Sequence, residues 1–507
     1  DGAPEDIVSA RYSGFERLSD ELRSRSPRTI AAGESLASTI SDVAFVKAYS
    51  VPFQFQQHVQ RRLSLSMLAE KTEGTRIFDL DGNSFHDVSG SYGVNLFGYD
   101  FYKDCIERAV VAARDLGPVL GPYHPAVIEV AERLRALSGL DEVSFHMSGT
   151  EAVMQAVRLA RFHTRRTHLV MFCGSYHGWW DGVQPNIGNE RALNDVYVLR
   201  EMSERSLRVI KERSDIACVL VNPIQVMHPN STPPTDGMLV DSARRASVDR
   251  KAYTQWLKDL RGACDANGVV LIFDEVFVGF RLALRGAQEY FGVAADLVTY
   301  GKTLAGGLPV GVVCGKRALM KRYSDDTPGR VCFARGTFNS HPYVVCAMRE
   351  FLRRLDEPDI RSRYERLDDV WNGRAAALNA QLERGNLPVR VVNLVSVWTF
   401  VYLIPGRYNW MLQFYLRAAG LSLSWVGTGR LIFSHNYSDD DFRLVCEAIL
   451  AAVRRMSEDA WWWHTPGITN QSIRRAILGE MLRRRIAGIL PRHAPDSIQA
   501  GASDSSA

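Results

Sequence analysis

Four short apolar segments, separated by longer helical or irregular stretches, constrain the fold of this chain more than any other feature of its sequence. They are His168 to Cys173, Ala217 to Val221, Gly268 to Phe273 and Leu297 to Tyr300. Strands that are apolar along most of their length are typical of a parallel sheet covered by helices on both faces. The sequence therefore predicts an α/β domain built on a mostly parallel sheet.

The residues before this series add two helices, a strand and a hairpin to the prediction. Ala126 to Leu137 and Glu151 to Thr164 carry apolar residues at helical spacing, and the extended segment Glu142 to His146 lies between them. Further upstream, Asp81-Gly82 separates two short β-type runs, which is a hairpin signal. Residues 1 to about 50 show few apolar positions in register, and we expect an irregular, partly helical extension there.

Beyond Val345 the pattern changes to a long helical stretch, interrupted at Pro358, followed by strands and one more helix. This order is typical of a smaller α+β domain. We therefore divide the chain into five parts: an extension (1–50), the N-terminal part of a small domain (51–105), a large domain (106–344), the C-terminal part of the small domain (345–465) and a basic tail (466–507).

The net charge, the absence of long apolar stretches and the cysteine spacing exclude several classes of protein. Lys+Arg number 61 against 57 Asp+Glu, a net charge of +4, which argues against a nucleic-acid-binding protein that works by neutralising phosphates. No apolar stretch approaches the ~20 residues that cross a bilayer, and no signal peptide is visible. The eight cysteines form no C-x-x-C pair, so we expect reduced thiols, no metal site and a cytoplasmic protein. The chain starts at Asp1, so we expect that it is trimmed or taken from a longer protein.

Small residues join one predicted strand to the helix that follows it. Ser148, Gly149 and Thr150 stand between the extended segment ending at His146 and the helix from Glu151. The N-terminus of a helix offers free N–H groups and the positive end of the helix dipole, and so can hold a phosphate. The alternative is a helix cap without a ligand.

An acid and a lysine follow two neighbouring strands. Asp274 and Glu275 end one apolar segment, and Lys302 follows the next one, in a bend rich in glycine that includes Gly306 and Gly307. A lysine in such a bend is a candidate for Schiff-base chemistry, because burial lowers its pKa. Together they are the pair that a pyridoxal phosphate site needs, since the acid keeps the pyridine nitrogen protonated. A solvated acid and a solvated lysine are the alternatives.

Two further segments offer side chains that a flat, phosphorylated ring could contact. Tyr176, His177 and Trp179 follow the segment that ends at Cys173, and aromatic rings stack on flat rings. Thr337, in Gly336-Thr337-Phe338, offers a hydroxyl to a phosphate. A structural aromatic cluster and a helix cap are the respective alternatives.

Taken together, the five motifs resemble the class III (ω-type) pyridoxal-phosphate-dependent aminotransferases of fold type I, and most of all the glutamate-1-semialdehyde aminomutase branch. The motifs occur in family order over roughly residues 75 to 450. The resemblance implies a large domain with a mostly parallel seven-stranded sheet, a smaller α+β domain, and pyridoxal 5'-phosphate as cofactor. It also implies these roles: Lys302 as the Schiff-base lysine, Asp274 as the partner of the pyridine nitrogen, Ser148, Gly149 and Thr150 at the phosphate, Tyr176 with His177 at the ring, and Thr337 reaching in from the other subunit of a homodimer with shared active sites.

Departures from the family pattern concern the substrate side. Where the family carries Glu-Pro after a strand, this chain has Asn222-Pro223-Ile224-Gln225, so an amide replaces an acid. Arg430 lies near the place of a carboxylate-binding arginine, but the flanking prolines are absent. We assign substrate contacts to Asn222, Arg430 and Trp179.

The region from Tyr49 to Gly98 is similar to aminotransferase domains of polyketide and nonribosomal peptide assembly lines. That similarity implies ping-pong transfer of an amino group from an amine or amino-acid donor to an aldehyde or ketone of a secondary-metabolite intermediate. The intermediate is free or held on an acyl carrier protein, which arginines of the tail after Gln471 would contact. A solvated surface helix is the other interpretation of this tail. An aminomutase or racemase acting on one substrate is the alternative activity, and a non-catalytic scaffold the alternative class.

Overall fold

The computed structural model describes residues 2–49, 51–52, 55–56, 59, 62–63, 67–184, 191, 193–224, 248–424 and 429–489. Fourteen strands within these ranges form three sheets. In chain order the strands are β1 (Ala69–Glu73), β2 (Arg76–Asp79), β3 (Ser84–Asp87), β4 (Glu142–His146), β5 (His168–Phe172), β6 (Val196–Leu199), β7 (Ile216–Val221), β8 (Val270–Asp274), β9 (Leu297–Gly301), β10 (Gly311–Gly315), β11 (Val389–Leu394), β12 (Val397–Tyr402), β13 (Leu421–Ser422) and β14 (Arg430–Ile432).

The largest sheet has seven strands in the order β4-β10-β9-β8-β7-β5-β6. Neighbours from β9 to β6 run parallel, and β10 is antiparallel to both β4 and β9. Every residue of β7, β8 and β9 is buried, because helices cover both faces. The predicted α/β domain with a mostly parallel sheet is confirmed.

Helices surround this sheet and the two smaller ones. In chain order they are α1 (Glu5–Arg25), α2 (Pro27–Ala37), α3 (Ser41–Tyr49), α4 (Tyr99–Ala113), α5 (Ala126–Ser138), α6 (Gly149–Thr164), α7 (Glu204–Glu212), α8 (Arg250–Ala266), α9 (Gly286–Phe291), α10 (Arg317–Met320), α11 (Pro342–Arg354), α12 (Pro358–Glu365), α13 (Leu367–Arg384), α14 (Leu412–Ala418), α15 (Asp439–Glu458) and α16 (Asn470–Ile489). Since α12 begins at Pro358, the predicted interruption of the helical stretch is confirmed. None of the described helices is apolar over a length that would span a membrane.

The smaller sheets join distant parts of the chain. One has the order β1-β2-β3-β13, in which β2 and β3 form the predicted hairpin. Its last strand, β13, pairs in parallel with β3, so that Leu421 lies opposite His86. The other sheet, β11-β12-β14, is antiparallel. The segment before α4 is thereby fixed to the segment after α14.

The N-terminal extension was expected to be irregular and only partly helical, but three regular helices, α1 to α3, cover most of residues 5–49. Only a narrow stripe of α1, including Phe15 and Leu18, is buried, which is why the hydrophobic pattern is weak. Polar contacts complete the docking of α1. Arg17 Nη2 donates to Asp459 Oδ1 over 2.5 Å, and Arg11 Nε donates to the carbonyl of Ala460 over 2.9 Å.

Replacing Asp459 by Ala is expected to lower the free energy of unfolding by about 2 kcal/mol, because the buried carboxylate is a shared acceptor. It accepts from the hydroxyl of Tyr415 over 2.6 Å as well as from Arg17. Chemical denaturation measures the change. Asp325→Ala, which removes an exposed partner of Lys321, is the control and should change stability by less than about 0.5 kcal/mol. Equal losses in the two variants would contradict the assigned role.

Candidate functional site

The carboxyl end of β8 carries a buried acid with three hydrogen-bond donors. Asp274 has 3% of its surface exposed. Its Oδ2 lies 2.8 Å from Nδ1 of His177, and its Oδ1 accepts from the Thr299 hydroxyl over 3.2 Å and from the Val276 N–H over 3.1 Å. His177 is itself buried, and its Nε2 has no hydrogen-bond partner among the described residues. The acid is therefore held in one orientation at the edge of the sheet where ligands bind.

Lys302 follows the neighbouring strand and lies close to the start of α6. Its φ of +50° is in the left-handed region, so the chain turns sharply after Gly301. A Cβ added to Gly301 would lie 3.8 Å from the Cα of Gly149 and 3.2 Å from Cγ1 of Val276. Nζ of Lys302 lies 5.3 Å from the ring centroid of Phe277. The structure thus brings the lysine, the acid strand and the helix start together.

The surroundings of Lys302 favour its neutral amine. Burial lowers the pKa of Lys302 to about 8; the charge of Asp274 opposes this shift, and those of Arg281 and Arg430 add to it. An amine with such a pKa is available as a nucleophile and a base near neutral pH. A solvated lysine, the alternative interpretation of this residue, does not match this environment.

The small residues before α6 form an open helix start. Ser148 caps the helix by accepting from the N–H of Glu151 over 3.2 Å. Gly149 has no room for a side chain, since a Cβ there would lie 2.6 Å from Cγ1 of Val276, and a Cβ on Gly178 would lie 2.6 Å from Oγ1 of Thr150. The first N–H groups of a helix have no acceptor within it. The cap predicted as the alternative is present; it takes up the N–H of Glu151 and leaves the N–H groups of Gly149 and Thr150 available for an anion.

These three features fit pyridoxal phosphate. The helix start would take the phosphate and Asp274 the ring nitrogen. Lys302 would take the aldehyde carbon. The buried carboxylate of Asp274 ends β8, and Lys302, with its lowered pKa, directly follows the adjacent strand β9. These are the groups that this cofactor requires.

The remaining predicted cofactor residues lie toward the outside of the chain. Tyr176 is 52% exposed, and partial burial together with the charge of Asp274 raises the pKa of its hydroxyl. Trp179 is 72% exposed, and Thr337 is exposed too. The loop of Thr337 lies beside α6, because a Cβ on Gly336 would be 3.8 Å from the carboxylate of Glu151. The roles of Trp179 and Thr337 stay predictions.

Two predicted substrate residues flank the site. Asn222 follows β7, is 8% exposed, and has an Oδ1 without a hydrogen-bond partner among the described residues. Gln225 lies outside the described residues. Arg430 begins β14, with its guanidinium carbon 5.8 Å from the centroid of Phe277. Lys302 Nζ lies 5.3 Å from the same centroid, so β14 brings Arg430 to the neighbourhood of the lysine.

Phe277, Arg281 and the turn Gly90–Gly93 belong to this site and were not assigned a role from the sequence. Phe277 stands in an apolar run, where an aromatic residue indicates ordinary core. Arg281 occurs in the Gly279-Phe280-Arg281 motif that contributed to the resemblance, but the motif gives no partner for its charge. The glycines at 90 and 93 were the only signal for the turn.

Comparison with known families gives one match over most of the chain. The model of the family "Aminotransferase class-III" matches residues 58–452. A glutamate-1-semialdehyde 2,1-aminomutase of Methanococcus maripaludis is 32% identical over 339 residues, 64% of this chain and 73% of that protein. One from Citrifermentans bemidjiense is 30% identical over 361 residues, 68% of this chain and 78% of that protein.

Solved structures share the fold. A β-phenylalanine aminotransferase from Variovorax paradoxus has a TM-score of 0.70 at 21% identity and covers 89% of this chain and 98% of its own. A glutamate-1-semialdehyde aminomutase from Pseudomonas aeruginosa has a TM-score of 0.69 at 19% identity, covering 89% and 99%. An ω-transaminase from Sphaerobacter thermophilus has a TM-score of 0.64 at 24% identity, covering 78% and 91%.

Proposed function

Because the chain belongs to the class III aminotransferase family, we propose that it transfers an amino group from an amine or amino-acid donor to an aldehyde or ketone of a secondary-metabolite intermediate. Its membership of the glutamate-1-semialdehyde aminomutase-like branch, its fold type I architecture, its class as an aminotransferase and its cofactor, pyridoxal phosphate, are confirmed. The substrates are the proposal. The observation that carries the transfer chemistry is the pairing of buried Asp274 with Lys302, whose pKa burial lowers to about 8. The similarity of the region from Tyr49 to Gly98 to assembly-line aminotransferase domains is what supports the substrate class.

The chain's own residues divide the work of the reaction. When bound, pyridoxal phosphate supplies an electron sink for the negative charge left when the substrate carbon beside the nitrogen loses a proton. As a neutral amine, Lys302 Nζ would take that proton and deliver it to the former aldehyde carbon of the cofactor. Asp274 would hold the proton of the ring nitrogen, and His177 orients the carboxylate through Oδ2. The Thr299 hydroxyl fixes the other carboxylate oxygen.

The absorption spectrum of the purified protein tests this proposal. A yellow form that bleaches with one amine of a panel identifies the donor, and borohydride reduction followed by peptide mass spectrometry locates the labelled residue. We expect the label on Lys302. A protein that stays colourless when pyridoxal phosphate is added would contradict the proposal.

The pH dependence of cofactor uptake follows from the lowered pKa of Lys302. Only the neutral amine attacks an aldehyde. The rate at which cofactor-free protein takes up pyridoxal phosphate should therefore rise with pH around a midpoint of about 8, and should have levelled off well below the usual lysine value of 10.5. Stopped-flow absorbance measures this rate. A rate that still climbs steeply at pH 10 would show that the site does not lower the pKa.

An aminomutase acting on one substrate is the second candidate, and the names of the relatives favour it. It would use the same lysine and acid and need no separate donor. Incubation with an isotopically labelled amine donor separates the two, because an aminotransferase places the label in the product of a second substrate and an aminomutase does not.

We also propose a homodimer with shared active sites, in line with the family. Large apolar side chains remain exposed in the single chain on either side of the site: Tyr176 (52%), Trp179 (72%), Phe333 (72%) and Phe338 (54%). Covering them with a second copy would bring Thr337 toward a partner's site. The test measures turnover after Lys302→Ala and Thr337→Ala subunits are mixed. If the sites are shared, one site of the mixed dimer has both an intact Lys302 and an intact Thr337, and activity returns. If they are not shared, neither site has both residues, and no activity returns.

An acyl carrier protein is the partner that we propose for α16. Ile473 and Ile477 are buried whereas Leu478 and Leu482 are exposed, so α16 packs through part of its apolar side. Arg407 Nη2 donates to Glu480 over 2.5 Å. The opposite face exposes Arg475 and Arg483, whose charges suit an acidic surface. A truncation after residue 465 that left the kinetics with carrier-bound substrate unchanged would remove this partner from the proposal.

A further inference from the structure

Arg281 is a buried cation with neutral acceptors. It lies in the loop after β8 with 1% of its surface exposed, and it forms no ion pair within the described residues. Nη1 donates to the Ser396 hydroxyl over 3.0 Å and to the Phe433 carbonyl over 2.8 Å. Nη2 donates to the carbonyls of Gly93 over 3.1 Å and Asn95 over 3.4 Å. A charge without an ion-pair partner is costly to bury, and here the hydrogen bonds to four acceptors offset that cost.

The acceptors come from segments that are far apart in sequence. Gly93 and Asn95 belong to the turn before α4, Ser396 lies between β11 and β12, and Phe433 directly follows β14. A planar guanidinium with its donors in a fixed fork can hold several such acceptors in one arrangement. Arg281 therefore joins three segments to the loop that follows Asp274.

The turn Gly90–Gly93, whose last residue accepts a hydrogen bond from Arg281, lies beside Lys302. Residues Gly90 to Gly93 all have positive φ values of 53°, 44°, 59° and 92°, a left-handed turn that Ser91 and Tyr92 adopt only under constraint. A Cβ on Gly93 would lie 2.5 Å from ring atoms of Phe277 and 3.6 Å from Cδ of Lys302. A side chain at position 93 would therefore meet both Phe277 and Lys302, so the turn lies beside the two residues.

The same ring links the two cations. Lys302 Nζ lies 5.3 Å from the centroid of Phe277, and the guanidinium carbon of Arg281 lies 5.6 Å from it. We propose that Arg281 is a positioning residue for Lys302: its hydrogen bonds to the carbonyls of Gly93 and Asn95 fix the turn Gly90–Gly93 beside the lysine side chain. This inference rests on the proposed role of Lys302 as the residue that carries the cofactor.

Electrostatics support the proposal. The charged groups that face Lys302 are Asp274, which raises its pKa, and Arg281 and Arg430, which lower it further than burial does alone. Burial lowers the pKa of Arg281 itself to about 10, so it stays charged at pH 8. The titratable groups around Arg281 are Tyr102, Tyr364, Asp87 and His435. Burial raises the pKa of both tyrosines and lowers that of His435, which keeps all three neutral.

The test compares Arg281→Lys and Arg281→Met with the parent holoenzyme. Arg11→Met is the matched control, because Arg11 is another buried arginine that donates to a carbonyl, that of Ala460. Two readouts are used in addition to turnover. One is the rate at which borohydride reduces the cofactor linked to Lys302, which reports access to the lysine. The other is the apparent pKa of that linkage, obtained by titrating its absorbance.

Both Arg281 variants should react with borohydride at least about fivefold faster than the parent, because neither can hold all four acceptors. Arg281→Met should also raise the apparent pKa by about one unit, a tenfold change in proton affinity, and Arg281→Lys should leave it within about 0.3 unit because the charge is kept. Arg11→Met should match the parent in both readouts.

Folded Arg281 variants with the parent's reduction rate and pKa would overturn the inference. If Arg281→Met does not fold, the reduction rate of Arg281→Lys decides alone. A parent enzyme in which borohydride labels a residue other than Lys302 would instead contradict the proposed function, so the two failures are distinguishable.

Discussion

Lys302→Ala should lower turnover by roughly 10⁴-fold or more, since Lys302 is assigned both the covalent link to the cofactor and the transfer of the proton. The variant should still bind pyridoxal phosphate, because the start of α6 and Asp274 are unchanged. Single-turnover absorbance with the identified donor measures the loss. Equilibrium dialysis measures the retained cofactor.

Two comparisons make the Lys302 result specific. Lys321→Ala removes a lysine that pairs with Asp325 on the surface, and it should turn over at the parent rate. A small primary amine added to Lys302→Ala should restore part of the activity, because it can act as the base in place of the missing lysine amine. Parental turnover in Lys302→Ala would overturn the mechanism.

Asp274→Asn is the prediction with the next largest effect. Removing the carboxylate charge removes the group that holds a proton on the ring nitrogen, and electrostatic contributions of this kind are worth about 10² to 10³-fold in rate. We expect a loss of that size in turnover and weaker binding of the cofactor. The amide can keep its contact with Thr299, so the strand end should stay in place.

Glu275→Gln is the matched control for Asp274→Asn. Glu275 is the next residue, is equally buried, and accepts from the N–H groups of Ala287 over 2.6 Å and Gln288 over 3.3 Å at the start of α9. Burial raises its pKa to about 8, so it is mostly protonated at pH 7, and a Gln is likewise neutral and keeps one oxygen to accept the shorter contact from Ala287. Its replacement should change turnover by less than about threefold. Similar losses in the two variants would show that any buried polar change at the end of β8 inactivates the enzyme.

The sequence predicted the parts of the site that lie at strand ends. Strand β4 has the predicted bounds, and β8 ends at the acid that was assigned to the cofactor. Such residues are found from local patterns, because the exit of a strand and the start of a helix are marked by the sequence within a few residues.

Local sequence patterns could not predict the contacts between residues that are far apart along the chain. The acceptors of Arg281 lie more than 100 residues from it along the chain, and only the folded structure brings them together. The helices of the first 49 residues were missed for a related reason: α1 is held by polar contacts to Asp459 and Ala460 as well as by a narrow apolar stripe. Thr337 is predicted to act in the site of the other subunit and Trp179 to contact the substrate, and both roles stay predictions.

The parallel pairing of β3 with β13 has a consequence for the order in which the protein can form during synthesis. Leu421 is made about 330 residues after His86, which at ~5–20 residues per second takes roughly 20 to 70 s on the ribosome. During that interval the edge of β3 has no strand to pair with and is open to association with other nascent chains. Contacts this distant in sequence also form slowly in the finished chain. Expression at lower temperature or with a chaperone that shields strand edges should therefore raise the yield of folded enzyme.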